Sequence, residues 1–362
     1  MDKIKILHIH PHDEQLLNYI EFDNKISKYK NDIVHHNEIL LSKRAEESSA
    51  YDNVFRVPIL TKSPLKWIFG IRKVVLEGRY DIIHCHLGWF SLFAMLSLLF
   101  VPAKKIVHVH NPMPSNFWLK YFYCPLAKFL INLYFDVKLS CSKENGEQLF
   151  IRHFEVIPNI IDYNKFYFNQ DLRDKHRSLN HISNDNFVIF HVGNFSKIKN
   201  HYFLINCFKE IYSNIPNSVL MLVGYGSNDE VQYIKSHISK NGLDKVVIIL
   251  GTRGDVSELY SCADLFIYPS FFEGFGMSLL EAQISGLQCF YSNTIPKETI
   301  ILPDRCVGID LDEGHKFWAT QILNSFKLNK NVSRKVSVPQ KFNSNFNNSL
   351  LFDLYLNLTS VK

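Results

Sequence analysis

The stretch Tyr268-Pro269-Ser270-Phe271-Phe272-Glu273-Gly274-Phe275-Gly276-Met277-Ser278-Leu279-Leu280-Glu281-Ala282 reads as the end of a strand running through a glycine turn into a helix. Gly274 and Gly276 permit backbone torsions that a side chain would forbid. The N–H groups of Gly276, Met277 and Ser278 then fall at a helix start, where backbone donors lack intrahelical partners and bind phosphate well. Glu273 and Glu281 flank the turn with seven residues between them. An ionised carboxylate offers two acceptor oxygens to neighbouring hydroxyls, so one segment brings together donors for phosphate and acceptors for sugar hydroxyls. The plainer alternative is a capping acid before the helix and a solvated acid within it.

Outward from this segment, short apolar runs rich in β-branched residues recur between stretches of helical length. IKILHI begins at Ile4, DIIHCH at Asp81, KIVHVH at Lys105 and DVKLSC at Asp136. The second half repeats the rhythm with FVIFHVG from Phe187, SVLMLVG from Ser218, KVVIILG from Lys245, DLFIYPS from Asp264 and LQCFYS from Leu287. Continuous apolar runs suit strands buried on both faces, and strands alternating with helices imply parallel βαβ units. Both halves therefore read as doubly wound α/β domains, and ligands of such sheets sit beyond the carboxyl ends of the strands. The polar stretch from Asn169 to Asn186 shows no strong period and reads as the hinge between them. The boundaries expected are 1–168, 169–341 and a last helix in 342–362 that packs back across the hinge.

At 362 residues the chain is long for one core and ample for two. Hydrophobic residues make up 46% and charged residues 21%, which excludes a disordered or fibrous class. The net charge of +5 is spread without a long basic run, so a nucleic-acid partner is not supported, while an anionic membrane surface fits. The seven cysteines are scattered with no C-x-x-C pair and read as reduced, buried thiols in a cytosolic protein. The uncharged run from Leu87 to Ala103 approaches the length of a membrane span, but Pro102 and the strand that follows favour a buried crossover helix. From Asn116 to Leu130, aromatic residues interleave with Lys120 and Lys128; the stretch reads equally as a helix in a bilayer interface and as a core-facing helix with solvated lysines. Sixteen histidines invite a metal, yet no H-E-x-x-H or comparable ligand spacing is found.

Four segments then occur in one order: His191-Val192-Gly193-Asn194-Phe195-Ser196-Lys197-Ile198-Lys199-Asn200, Leu222-Val223-Gly224-Tyr225-Gly226, Leu250-Gly251-Thr252-Arg253-Gly254-Asp255-Val256, and the two-glutamate segment. With them, the run from Phe190 to Glu298 resembles the C-terminal domain of the retaining family 4 glycosyltransferases of GT-B fold, which move a sugar from a nucleoside diphosphate to an acceptor. Weaker likenesses lie at Asp81–His86, Cys141–Lys143 and Val156–Asp162. The fold class implied is α/β GT-B, two Rossmann-like domains facing a cleft, the first for acceptor and the second for nucleotide sugar. The resemblance to bacterial capsule and exopolysaccharide enzymes, carried by Ser292–Glu298, implies a saccharide or lipid-linked oligosaccharide acceptor and a cytoplasmic enzyme in peripheral contact with the inner membrane.

By the same resemblance Glu273, His110 and Lys199 are catalytic. Glu273 lies near the transferred sugar, His110 faces the donor, and Lys199 neutralises the diphosphate, a role that also stabilises charge on the leaving group. The nucleotide-sugar contacts implied are Gly193, Asn194, Lys199, Arg253, Gly274, Phe275, Gly276, Met277, Ser278 and Glu281, the last on the ribose. No metal or other cofactor is implied. Two positions depart from the family pattern. Asn194 stands where an arginine is usual, so Lys197 or Arg253 would have to compensate, and His10-Pro11-His12-Asp13-Glu14 replaces a glycine-rich loop, with His12 or Asp13 as acceptor-side candidates. The rivals are a sugar-nucleotide epimerase of the same fold and a non-catalytic nucleotide-sugar-binding subunit. A nicotinamide dehydrogenase is disfavoured because no G-x-G-x-x-G follows the first strand.

Overall fold

The computed structural model describes residues 4–10, 34–40, 53–58, 60, 62–110, 113, 116–159, 161–328, 333–339 and 344–359. The chain divides into two compact units, residues 1–161 together with 340–362, and Asp162–Pro339. The junction therefore falls earlier than the 168/169 boundary read from composition. Phe166 is the reason: its ring meets Tyr260 edge-on at 5.9 Å and so belongs to the core of the second unit.

The first unit contains seven parallel strands: β1 (Ile4–Ile9), β2 (Val34–Leu40), β3 (Asn53–Arg56), β4 (Ile82–Cys85), β5 (Lys104–Val109), β6 (Val137–Ser140) and β7 (Glu155–Val156). Their order is β3-β2-β1-β4-β5-β6-β7, reversing between β1 and β4. Leu7, Ile9, Ile83, Cys85, Val107 and Val109 point to one face, covered by helices α1 (Pro64–Gly78), α2 (Ser91–Ser97) and α3 (Cys124–Tyr134); α4 (Lys143–Leu149) completes the set before the junction. The uncharged run at Leu87–Ala103 is thus a short 3₁₀ turn followed by α2, with Ala94 and Leu98 fully buried. No helix among the described residues is long and apolar enough to cross a membrane. The aromatic segment has both a buried and an exposed apolar face. Cys124, Ala127 and Ile131 of α3 face the core, while Leu126, Phe129 and Leu133 are exposed, as are Phe117, Trp118, Tyr121 and Phe122 just before it.

The opposite face of this sheet carries Ile4, Ile6, Ile82, Ile106 and Leu139, and is covered by the last helix, here numbered α11 (Ser344–Thr359), through Leu351 and Tyr355. The same alternation that sets these apolar residues on that face continues with histidines. His8 pairs in register with His84, and His8, His10, His84, His86, His108 and His110 are all buried. Their rings stack along the sheet, with centroids 4.0 Å apart for His84–His86, 4.1 Å for His108–His110 and 4.3 Å for His10–His86. Burial and mutual repulsion hold His84, His86 and His108 neutral, their pKa values well below the ordinary imidazole range. A buried polar atom without a hydrogen bond costs about 1–3 kcal/mol, and His84 Nε2 is one such atom. Neither ring nitrogen of His108 makes a hydrogen bond of regular geometry, although the Ile157 carbonyl lies nearby.

The second unit contains six parallel strands: β8 (Phe187–Val192), β9 (Ser218–Val223), β10 (Val247–Gly251), β11 (Leu265–Tyr268), β12 (Gln288–Ser292) and β13 (Cys306–Ile309), in the order β10-β9-β8-β11-β12-β13. Its helices are α5 (Gln170–Leu179), α6 (His201–Asn214), α7 (Asn228–Lys240), α8 (Val256–Cys262), α9 (Met277–Ile284) and α10 (Gly314–Leu328). Apolar layers lie on both faces of the sheet, one built on Leu204, Phe208 and Trp318, the other on Tyr260, Leu279 and Ala282. All seven cysteines are free thiols, six of them buried.

Residues 169–186 are not a structureless hinge, because α5 lies within them. Asn169 caps the helix, its side chain accepting from the Leu172 amide. Its apolar period is weak because charge rather than hydrophobic packing holds it down. Arg173 and Arg177 donate to the two oxygens of Asp264 at 2.6 and 2.7 Å, at the head of β11. Arg177 is 1% exposed and also donates to the carbonyls of Ser183, Asn184 and Asn186. Replacing Asp264 with Ala strands a buried guanidinium, a class of change that costs about 3–5 kcal/mol. Urea unfolding of Asp264→Ala should show that loss, and a loss below about 1 kcal/mol would contradict the role assigned to the cluster.

Candidate active site

β8 and β11 are neighbours where the strand order of the second sheet reverses, so the loops that leave their carboxyl ends diverge and open a crevice between them. The first loop carries Gly193 to Asn200 and the second Pro269 to Gly276; they are tied together by the Phe271 amide donating to the Ile198 carbonyl at 2.9 Å. Lys199 ends the 3₁₀ turn Lys197–Lys199 and turns back across the crevice. Its ammonium donates to Glu273 Oε1 at 2.6 Å and to the Tyr268 hydroxyl at 2.8 Å, and lies 5.0 Å from the centre of the Tyr268 ring. Both partners are largely enclosed, the side chains being 15% and 13% exposed. Gly193 makes room for this crossing, since a Cβ there would stand 3.1 Å from Lys199 Cδ. Gly224, at the end of β9, sits so close that a Cβ would lie 1.9 Å from the Gly193 carbonyl oxygen.

The second loop ends at Gly276, whose φ of +88° is a left-handed conformation costly for any other residue. A Cβ there would also press on Ile295 Cγ2 at 3.2 Å. The Thr299 hydroxyl donates to the carbonyl of the buried Phe275 and fixes the turn from behind. Met277 and Ser278 are the first residues of α9, and Leu279 and Leu280 are the first whose amides close back on the Gly276 carbonyl. Glu281 lies one turn further on. Its Oε2 accepts from the Tyr260 hydroxyl at 2.7 Å. Burial pushes the Glu281 carboxyl up to about 7, against the opposing pull of that hydrogen bond and of the Lys199 charge.

The fold thus brings Gly193, Lys199, Glu273, Gly274, Phe275, Gly276, Met277, Ser278 and Glu281 to one edge of one sheet. Asn194 is there too, with Oδ1 accepting from the Ser196 hydroxyl at 2.8 Å, which leaves its amide N–H₂ group as the donor. Arg253 is differently placed. Its guanidinium is closed on Asp255 by a bidentate pair of 2.8 and 2.6 Å. His110 belongs to the first unit and is 5% exposed. Its Nδ1 donates to Asn159 Oδ1 at 2.9 Å and, the ring being neutral, its Nε2 accepts from His86 Nδ1 at 3.1 Å; His86 Nε2 in turn accepts from His8 Nδ1 at 3.0 Å. Burial lowers the His110 pKa to about 4, which keeps this chain of neutral rings intact at physiological pH. His12 and Asp13 lie outside the described residues. Tyr260 and Tyr268 were not singled out from sequence. For Tyr268 the signal was its position at the end of an apolar strand run, where a buried hydroxyl needs a partner.

Residues 173–305 match the family model described as Glycosyl transferases group 1. The chain is 27% identical over 315 residues to EpsF of Bacillus subtilis, covering 84% of this chain and 79% of that one. It is 26% identical over 319 residues, 80% of each chain, to the UDP-Gal:alpha-D-GlcNAc-diphosphoundecaprenol alpha-1,3-galactosyltransferase of Escherichia coli. Its fold is that of Anabaena Alr3699/HepE, solved in complex with UDP and glucose, with a TM-score of 0.78 at 18% identity over 97% of this chain and 99% of the other. The sucrose-phosphate synthase of Thermosynechococcus elongatus has it as well, with a TM-score of 0.83 at 16% identity over 99% and 100%. Two Rossmann-like units of parallel sheet define the GT-B class, the fold of the solved neighbours. The chain is a glycosyltransferase of that fold.

A Glu281 that holds its proton up to about pH 7 is a poorer acceptor for hydroxyl donors below that pH. Affinity for a nucleoside diphosphate should accordingly rise about fivefold to tenfold between pH 6 and pH 8, and Glu281→Gln should flatten the profile. Calorimetric titration at the two pH values checks both, and an equal slope in the variant would remove Glu281 from the site.

Proposed function

We propose that this glycosyltransferase moves a sugar from a nucleoside diphosphate sugar to a lipid-linked saccharide acceptor with retention of anomeric configuration, in the assembly of a bacterial surface polysaccharide. The observation that carries this reading is the Lys199–Glu273 ion pair in the crevice between β8 and β11, in the loop that opens α9. A diphosphate seated on the amides of Gly276, Met277 and Ser278 competes with Glu273 for the Lys199 ammonium. Lys199 then stabilises charge on the leaving group while Glu273, released, accepts from hydroxyls of the transferred sugar. Glu281 takes the ribose hydroxyls and Asn194 adds a neutral donor. Displacement occurs on one face of the sugar, with the diphosphate itself helping to take the acceptor proton, so the transfer step needs no metal ion.

The acceptor class is supported by the Escherichia coli relative, whose own acceptor is a diphosphoundecaprenol-linked sugar. It is supported independently by the apolar side chains on the outer face of the first unit. Trp118 and Leu133 are 69% and 76% exposed, and Phe117, Phe122 and Phe129 accompany them, with Lys120 and Lys128 interspersed. Aromatic and leucine side chains at the acyl boundary, with the exposed Lys120 toward anionic head groups, would hold the enzyme at the cytoplasmic face of a membrane, where such an acceptor resides.

Glu273→Gln should lower kcat about 10²–10³-fold while the affinity for nucleoside diphosphate changes less than about threefold. Lys199→Ala should weaken diphosphate binding at least about tenfold and leave binding of the free nucleoside unchanged. Transfer assays with uridine, guanosine and thymidine diphosphate sugars and a lipid-linked acceptor extract provide the first readout, and calorimetry the second. Donor turnover without acceptor would mark an epimerase instead, and nucleotide binding with no transfer a binding subunit. In sedimentation with vesicles containing anionic lipid, Trp118→Ser with Phe122→Ser should release most of the bound protein; undiminished binding would exclude this face as the anchor.

A further inference from the structure

Three H-x-H pairs, His8 and His10, His84 and His86, His108 and His110, lie on or just beyond the ends of three adjacent strands, and the period of two turns all six rings to the same face of the sheet. An interior at this position ordinarily holds apolar side chains, as Ile4, Ile6, Ile82 and Ile106 do one step earlier on the same strands. Six buried imidazoles call for a physical reason that the transfer reaction does not supply.

We propose that the centre of the first unit binds a first-row divalent metal ion of the zinc class through His84, His86 and His108. These three residues each place a ring nitrogen within 4.8 Å of the others. Rotamer adjustment would have to bring them to the separation of about 3.3 Å that metal–nitrogen bonds of about 2.0–2.1 Å require. The ligand set is all imidazole, which suits zinc, cobalt, nickel and copper and disfavours magnesium and calcium, both of which require oxygen.

The surroundings are those that orient metal-bound histidines, in which the ring nitrogen away from the ion is held by a second partner. His84 Nδ1 lies 2.7 Å from the Tyr355 hydroxyl, His86 Nδ1 donates to His110 Nε2, and His108 lies beside the Ile157 carbonyl. His84 Nε2 and the ring nitrogens of His108 are buried without a regular hydrogen bond. The lone pair of His86 Nε2 now accepts from His8, and that lone pair is the one a metal would take. An overlapping group, His8, His10 and His86, shares His86 and therefore competes for the same ion. We place the ion on the first group because two of its three members, His84 and His108, carry buried ring nitrogens without a regular hydrogen bond. No carboxylate or thiolate belongs to either group, so affinity rests on imidazole alone and should fall in the micromolar range rather than far below it. Such an ion would bolt together β4, β5 and, through Tyr355, α11.

The full chain, stripped with chelator and dialysed, is titrated with zinc and, separately, with cobalt. One equivalent should bind per chain, zinc should raise the melting temperature, and cobalt should give the visible absorption of a tetrahedral site. The double variant His84→Gln, His108→Gln should lose both effects, while His153→Gln, at an exposed histidine, should keep them. Because the double variant could fail to fold, imidazole nitrogen resonances of the wild-type chain provide an independent test. Zinc should move those of three buried rings. If only exposed rings move, if no cobalt absorption appears, or if a folded double variant binds unchanged, the site does not exist.

Discussion

A parallel sheet covered on both faces leaves its chain one place for polar chemistry, the edge where the strands run out. Every other surface of the strand is spent on packing, and the ladder hydrogen bonds use up the backbone. Both units of this glycosyltransferase obey the constraint, and in both the order of strands reverses between the first strand and the fourth. That reversal sends neighbouring loops apart. In the second unit the gap collects Lys199, Glu273 and the start of α9; in the first, the same topological position collects histidines.

At the second of these edges, charge is already satisfied by the protein's own groups. Lys199 is enclosed, and an enclosed ammonium without a partner would be costly, so Glu273 and the Tyr268 hydroxyl hold it. The pairing leaves neither residue idle before substrate arrives and makes the two roles interdependent. An anion that takes the lysine also frees the glutamate. Glu281 is treated in the opposite way. Among the described residues no basic side chain bonds it directly, its hydrogen bond comes from a phenol, and burial raises its pKa into the neutral range.

Much of this was legible in the sequence because it depends on local pattern. Buried parallel strands announce themselves as unbroken apolar runs, and a glycine with a positive φ between a strand and a helix has few other uses, so β11, Gly276 and α9 could be placed without coordinates. The helix α5 could not be. Its residues are nearly all polar, and what fastens them is Asp264, distant in sequence, which Arg173 and Arg177 reach only after folding. The histidine cluster escaped for the same reason. Each H-x-H pair is unremarkable alone, and only the strand order β1-β4-β5 puts the three side by side. Arg253 was legible as a nearby cation but not as one already closed on Asp255, because pairing at a two-residue interval depends on rotamers rather than on spacing.

Helix α11 belongs to the first unit although the whole of the second precedes it in the chain. During synthesis, then, Ile4, Ile6, Ile82 and Ile106 have no cover on one side until Ser344–Thr359 has been made. The second unit has every strand and helix it needs well before that moment. The later-encoded unit is thus free to mature first, and the earlier-encoded one must wait for α11 to close its sheet.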